Sequence, residues 1–123
     1  EAACISAPND MQGESIMPLL TGNEENWTRE AVYYHYYEYP AVHMVKAHYA
    51  IITKEYKLVH FYFDVDEWEL YDRLSDPLEL YNVYDDPNYA DTVKKLKKEL
   101  AEMRIKYKDS DELDKHYIEQ SSQ

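Results

Sequence analysis

Between Ala31 and Tyr71 the side chains alternate with a period of two, in stretches separated by short links. That period is the repeat of a strand, whose successive side chains point to opposite faces. Val32, Tyr34 and Tyr36 alternate with Tyr33, His35 and Tyr37 until Pro40, which ends the ladder. Ala47 to Thr53 and Tyr56 to Phe63 give a second and a third strand joined by Lys54-Glu55, and Asp64 to Glu67 turn the chain into a fourth at Trp68 to Tyr71. Parallel pairing needs a crossover of about a dozen residues or more, so these links predict an antiparallel sheet. Neither Lys54 nor Glu55 suits a two-residue primed turn, so the hairpin is expected to borrow a residue from each strand.

A different period follows. Asp86-Pro87 offers an N-cap carboxylate and a proline at the first helical position. Tyr89, Val93, Leu96, Leu100, Met103 and Tyr107 then step by four and three along one helix face, and Lys94, Lys95, Lys97 and Lys98 are assigned to the opposite, solvated side. The predicted fold class is α+β: a four-stranded antiparallel sheet packed by one long C-terminal helix, with an extended N-terminal connector.

The connector covers residues 1–26, where Pro8, Gly13, Pro18 and Gly22 break any period and one short helical turn is expected near Ser15. Ile5, Met11, Ile16, Met17, Leu19 and Leu20 make it more apolar than a solvated linker, which predicts docking onto a neighbouring domain. Residues 27–108 form the predicted domain. Residues 109–123 read as a polar tail anchored at most by Leu113, Tyr117 and Ile118, with Gln120 to Gln123 expected to be disordered.

Composition excludes several function classes. With 13 basic and 25 acidic side chains the net charge is −12, so nucleic acid and anionic membranes are not expected partners. No apolar run approaches the roughly 20 residues that span a bilayer, and the sequence as given reads as soluble and without a targeting address. A single cysteine, Cys4, leaves the fold to packing rather than cross-links. Fourteen tyrosines predict a tyrosine-rich sheet.

Two motifs in order then carry a family likeness. Met11-Gln12-Gly13-Glu14-Ser15-Ile16-Met17-Pro18-Leu19-Leu20-Thr21-Gly22 precedes Glu69-Leu70-Tyr71-Asp72 and Asp76-Pro77-Leu78-Glu79-Leu80-Tyr81-Asn82. Together they resemble the C-terminal subdomain of the formylglycine-dependent sulfatases, over Ala3 to Tyr107. The resemblance implies that residues 1–26 lead out of a sulfatase catalytic domain, which becomes the main partner, and that the parent hydrolyses sulfate esters, most naturally on a glycan. It further implies a formylglycine and Ca²⁺ in that parent, a sulfated saccharide as its substrate, and a periplasmic, secreted or lysosomal setting.

No catalytic or metal-binding residue is assigned within the chain, and no cofactor of its own. Ser6-Ala7-Pro8-Asn9-Asp10 has the serine and proline of Cys/Ser-x-Pro-x-Arg but a carboxylate where the arginine belongs. Asp64-Val65-Asp66-Glu67 lacks the glycine bend and the oxygen count of a calcium loop, and reads as a solvated hairpin tip. His35, His48 and His60 fall within strands and are assigned mostly to sheet surface, whereas His43 lies in the link after Pro40. By likeness to glycan sulfatases, whose C-terminal subdomain lends loop residues to the substrate pocket, His43 is the first candidate for a sugar contact, followed by Lys46 and His48. A capped loop histidine explains His43 equally well. The alternative for the whole chain is a stand-alone module that captures a glycan or protein on its tyrosine-rich sheet.

Overall fold

The structure, a computed structural model, describes residues 5–40 and 42–121. It divides into two compact units, Glu1–Glu30 and Ala31–Gln123. The first unit holds a single helical turn, α1 (Met17–Leu20), and a 3-10 turn at Glu24–Asn26. Ser15 Oγ accepts from Met17 N at 3.2 Å at the start of α1, where the short turn was expected. Ile5, Met11, Ile16, Leu19 and Leu20 all stand exposed.

The second unit contains β1 (Ala31–Tyr36), β2 (His48–Thr53), β3 (Tyr56–Phe61) and β4 (Glu67–Asp72), antiparallel and in sequence order. Tyr33, Ile51, Leu58 and Leu70 fall opposite one another across the four strands, forming one continuous row. Ile51, Leu58 and Leu70 are 0% exposed, and Leu96 and Leu100 of α2 (Ala90–Lys106) join them in the core. Each such leucine contributes about 1.5–3 kcal/mol by leaving water, which is what holds the helix on the sheet. The Lys54-Glu55 hairpin closes through a side chain: Thr53 Oγ1 accepts from Glu55 N and Tyr56 N and donates to Tyr56 O. Positive φ at a primed turn is thereby avoided, as the two residue types require.

Asp86 Oδ1 accepts from Asn88 N at 2.9 Å, and a 3-10 turn at Pro87–Tyr89 runs into α2. One lysine departs from the expected solvated side. Lys97 Nζ lies 3.9 Å from the centre of the Trp68 ring and 2.7 Å from Tyr84 Oη, its aliphatic stem at the edge of the helix-sheet interface.

The expected polar tail is a helix. Residues Asp111–Ser121 form α3, which includes Gln120 and Ser121; Ser122 and Gln123 lie outside the described residues. The chain reverses out of α2 through Lys108, which has φ +58°, while Lys108 N donates to Ile105 O and Asp109 N to Arg104 O. These are the two bonds of a Schellman ending, built without the usual glycine. Asp111, Glu112 and Asp114 occupy the first turn of α3, where negative charge is favoured by the helix dipole. Among the described residues, no helix is long and apolar enough to cross a membrane.

Candidate functional site

The link between β1 and β2, residues 37–47, is secured at its far end by side chains. Lys46 pairs with Asp64 in the β3–β4 link, and its Nζ lies 5.8 Å from the centre of the Tyr39 ring. The hydrogen bond to Asp64 holds the Lys46 ammonium above its ordinary pKa, so it stays charged at neutral pH with that charge balanced. Asp64 reaches it from a left-handed backbone conformation, φ +70°. Asp64 is thus a partner of the link rather than part of a free hairpin tip.

His48 works from the strand beneath. Its Nδ1 is 2.7 Å from Lys46 O and its Nε2 is 3.1 Å from Tyr34 Oη. A carbonyl only accepts, so Nδ1 carries a proton, and on the neutral ring Nε2 takes the Tyr34 hydroxyl hydrogen. Tyr36 stacks on the same ring and Phe61 tilts against it, 5.6 and 5.1 Å between centres. Lys46 and His48, both named from the sequence, are therefore brought together. His43 stands exposed in the same link, between Val42 and Met44, with no hydrogen bond or ion pair to either among the described residues. Met44 also takes a positive φ, 50°. An exposed imidazole held on a link with a fixed root can donate to, or accept from, a hydroxyl or an anion.

A second polar centre, missed from the sequence, lies where α3 meets the sheet. Arg104 reaches Asp111 Oδ1 at 2.9 Å, Asp114 Oδ2 at 2.8 Å and Asp109 Oδ2 at 3.4 Å, with its guanidinium carbon 4.0 Å from the centre of the Tyr49 ring. His35 Nδ1 is 3.2 Å from Asp109, and His35 Nε2 is 2.7 Å from Tyr62 Oη and 3.6 Å from Asp114 Oδ1. Burial pushes the Asp114 carboxyl up to about 6 and lowers His35 from the usual imidazole range. His60, placed on the surface from its sequence, is also half-buried: it stacks on Trp68 and bonds Tyr49 Oη and Asp66. The aromatic run Tyr33 to Tyr39 divides as alternation requires. Tyr33 stacks on Tyr107 under the helix, while Tyr34 and Tyr36 meet His48 on the other face.

Neither centre fits a bound cation. One donor atom each from His35, Asp109 and Asp114 lie within 4.8 Å of one another, close enough for three ligands of one ion. Asp109 Oδ2, however, already receives the Tyr33 hydroxyl, His35 and Arg104, and the guanidinium supplies the positive charge an ion would bring. In the acidic β3–β4 link, Asp64 serves Lys46 and Asp66 serves His60, so the carboxylates do not converge. The cluster reads as a clasp that holds α3.

Residues 1–106 match the family model described as "N-sulphoglucosamine sulphohydrolase, C-terminal". The chain belongs to this sulfatase C-terminal family. It is 45% identical over 119 residues to an N-acetylglucosamine-6-O-sulfatase of Bacteroides thetaiotaomicron, a match covering 94% of this chain and 21% of that protein. A solved structure described as a complex with its substrate D-glucosamine-2-N,6-O-disulfate superposes with a TM-score of 0.82 at 47% identity, over 89% of this chain and 22% of the other. A structure of a 2-O glycosaminoglycan sulfatase gives a TM-score of 0.75 at 28% identity, over 87% and 23%. The chain thus spans about a fifth of the curated relative it matches. Sulfatases generally use formylglycine and a divalent metal.

Proposed function

We propose that this chain is the C-terminal part of a sulfatase that hydrolyses a sulfate ester on a saccharide, and that the 37–47 link forms one wall of the sugar site. The observation that carries the reading is the 45% identity, over nearly the whole chain, to a sulfatase of an amino sugar. The parent's catalytic part supplies the formylglycine and Ca²⁺ chemistry, and this chain supplies shape and contacts. His43 bonds a sugar hydroxyl or sulfate oxygen. Lys46, its charge balanced by Asp64, donates a further ammonium hydrogen to the saccharide, and His48 fixes the link by holding the Lys46 carbonyl. Tyr34 and Tyr36 in turn orient the His48 ring.

Free sulfate measured from 6-O-sulfated glucosamine tests the activity. The intact parent protein should release it, and the 123-residue chain by itself should release none. An intact parent that carries matured formylglycine yet leaves 6-O-, N- and 2-O-sulfated saccharides untouched would contradict the proposal.

A further inference from the structure

Beside α3, the start of β2, the end of β3 and the link that follows β3 leave a cleft of about 460 Å³. Small-molecule sites have this size and are built from apolar walls with a few converging polar groups. Tyr62, Phe63 and Ile118 form the apolar walls here, and Asp66, Asp111 and Asp114 bring three carboxylates against the one ammonium of Lys115. Tyr49 and His60 also line it and, paired across β2 and β3, place it on the sheet face that α2 covers, opposite the face of His48.

Charge at the inner wall is not balanced. Arg104 takes on Asp109 the place a metal ion would fill, yet this one guanidinium faces Asp109, Asp111 and Asp114 together. Burial lowers His35 from the usual imidazole range, so that ring adds no charge at pH 7. Asp114 shows the consequence. It is 4% exposed, and its Oδ2 accepts from Arg104 Nη2 at 2.8 Å, while its Oδ1 is buried with no hydrogen bond among the described residues. His35 Nε2, 3.6 Å from Oδ1, cannot serve: Asp109 accepts the hydrogen of His35 Nδ1, so Nε2 of the neutral ring has none to give and itself receives the Tyr62 hydroxyl. Buried polar atoms are nearly always paired, so the missing donor must come from what fills the cleft. Burial without a full set of partners also pushes the Asp114 carboxyl up to about 6.

We propose that the cleft between α3 and the β3–β4 link binds a small organic ammonium compound, whose N–H group donates to Asp114 Oδ1 while its carbon body packs on Tyr62, Phe63 and Ile118. Asp66 and Asp111 add attraction for the positive charge at the mouth, where both stand exposed. A hard metal ion would need about six oxygens, which the cleft does not gather, whereas an alkylammonium has only three hydrogens to place and gains from aromatic walls. The same carboxylates repel a sulfated saccharide, so the ligand class differs from that of the 37–47 link.

The test is calorimetric titration of the intact parent protein at pH 7.5, where Asp114 is ionised, with phenethylammonium and with phenethyl alcohol as its neutral counterpart. Phenethylammonium is expected to bind saturably at one molecule per chain, and the alcohol about tenfold more weakly or not at all, as loss of a charge-assisted hydrogen bond requires. Asp114→Asn, which keeps the shape of the side chain, and Ile118→Trp, which fills the cleft, should each weaken phenethylammonium binding by about tenfold or more. Should Asp114→Asn fail to fold, Ile118→Trp alone decides. No saturable binding of phenethylammonium, equal binding of the alcohol, or native affinity in a folded variant would overturn the proposal. Sulfate release by the same preparations reports separately on the sulfatase reading.

Discussion

Three carboxylates, Asp109, Asp111 and Asp114, converge on the guanidinium of Arg104, and His35 closes the ring from β1. Removing the only guanidinium at their centre leaves uncompensated charge at a buried position, so Arg104→Met should cost about 3–5 kcal/mol in a thermal or urea melt. A loss well under 1 kcal/mol would show the cluster to be solvated. Asp114, 4% exposed, gives the pH dependence. Its pKa in the folded chain is raised from 3.8 to about 6, chiefly by burial. The folded state therefore keeps a proton that the unfolded chain has already lost between those values, and this contribution, complete below pH 3.8, disappears as pH rises through 6. The lowered His35 has the opposite slope, its penalty fading as pH rises toward 6.5. Asp114→Asn isolates the first effect: relative to the native chain, its unfolding free energy should improve from pH 4 to pH 6.5. A flat or falling difference would contradict the assignment. None of this was legible in the sequence, because Arg104 reads as one more cation on a lysine-rich helix and its partners lie beyond a turn that has no glycine.

At the scale of elements, periodicity carried the sheet and α2, where burial follows a regular repeat. Leu100 sits in the centre of that interface, 2% exposed, and Leu100→Ala should cost about 2–5 kcal/mol of stability. A cost below 1 kcal/mol would mean that α2 is not seated as described. Helix α3 was not legible for a physical reason: it is held by the ion pair of Asp114 with Arg104 of α2 and by Tyr117 stacked on Tyr37 just beyond β1, so no apolar stripe betrays it. Its entry was hidden too, since Lys108 occupies the left-handed position that glycine usually fills. Lys108→Gly should relieve that strain and raise stability by on the order of 0.5–1 kcal/mol. A destabilised variant would show that the Lys108 side chain contributes more than its backbone costs. Lys97 was misplaced by the same logic, because a helical wheel assigns it to the lysine face while its long stem reaches back over Trp68.

At the scale of the whole molecule, the family was legible because its motifs constrain backbone as well as side chains. Asp72 Oδ1 accepts from Leu74 N and Ser75 N, Asp76 Oδ2 from Leu80 N and Tyr81 N, and Asn82 Oδ1 from Leu70 N and Tyr84 N. The signature is thus a set of caps that fix one turn after β4, which explains why so short a stretch identifies the subdomain. Within the candidate site, Lys46 and His48 follow from sequence position, whereas Asp64 required the strand register that lays the β3–β4 link beside the end of the β1–β2 link. The central claim is that this link walls a sugar site in a larger sulfatase. The most direct test is the steady-state kinetics of the intact enzyme carrying His43→Ala, on the saccharide it desulfates best. Loss of one hydrogen bond to substrate predicts a fall in kcat/KM of about tenfold, expressed mainly as a higher KM, with the melting temperature unchanged. Native kcat and KM for that saccharide would contradict it.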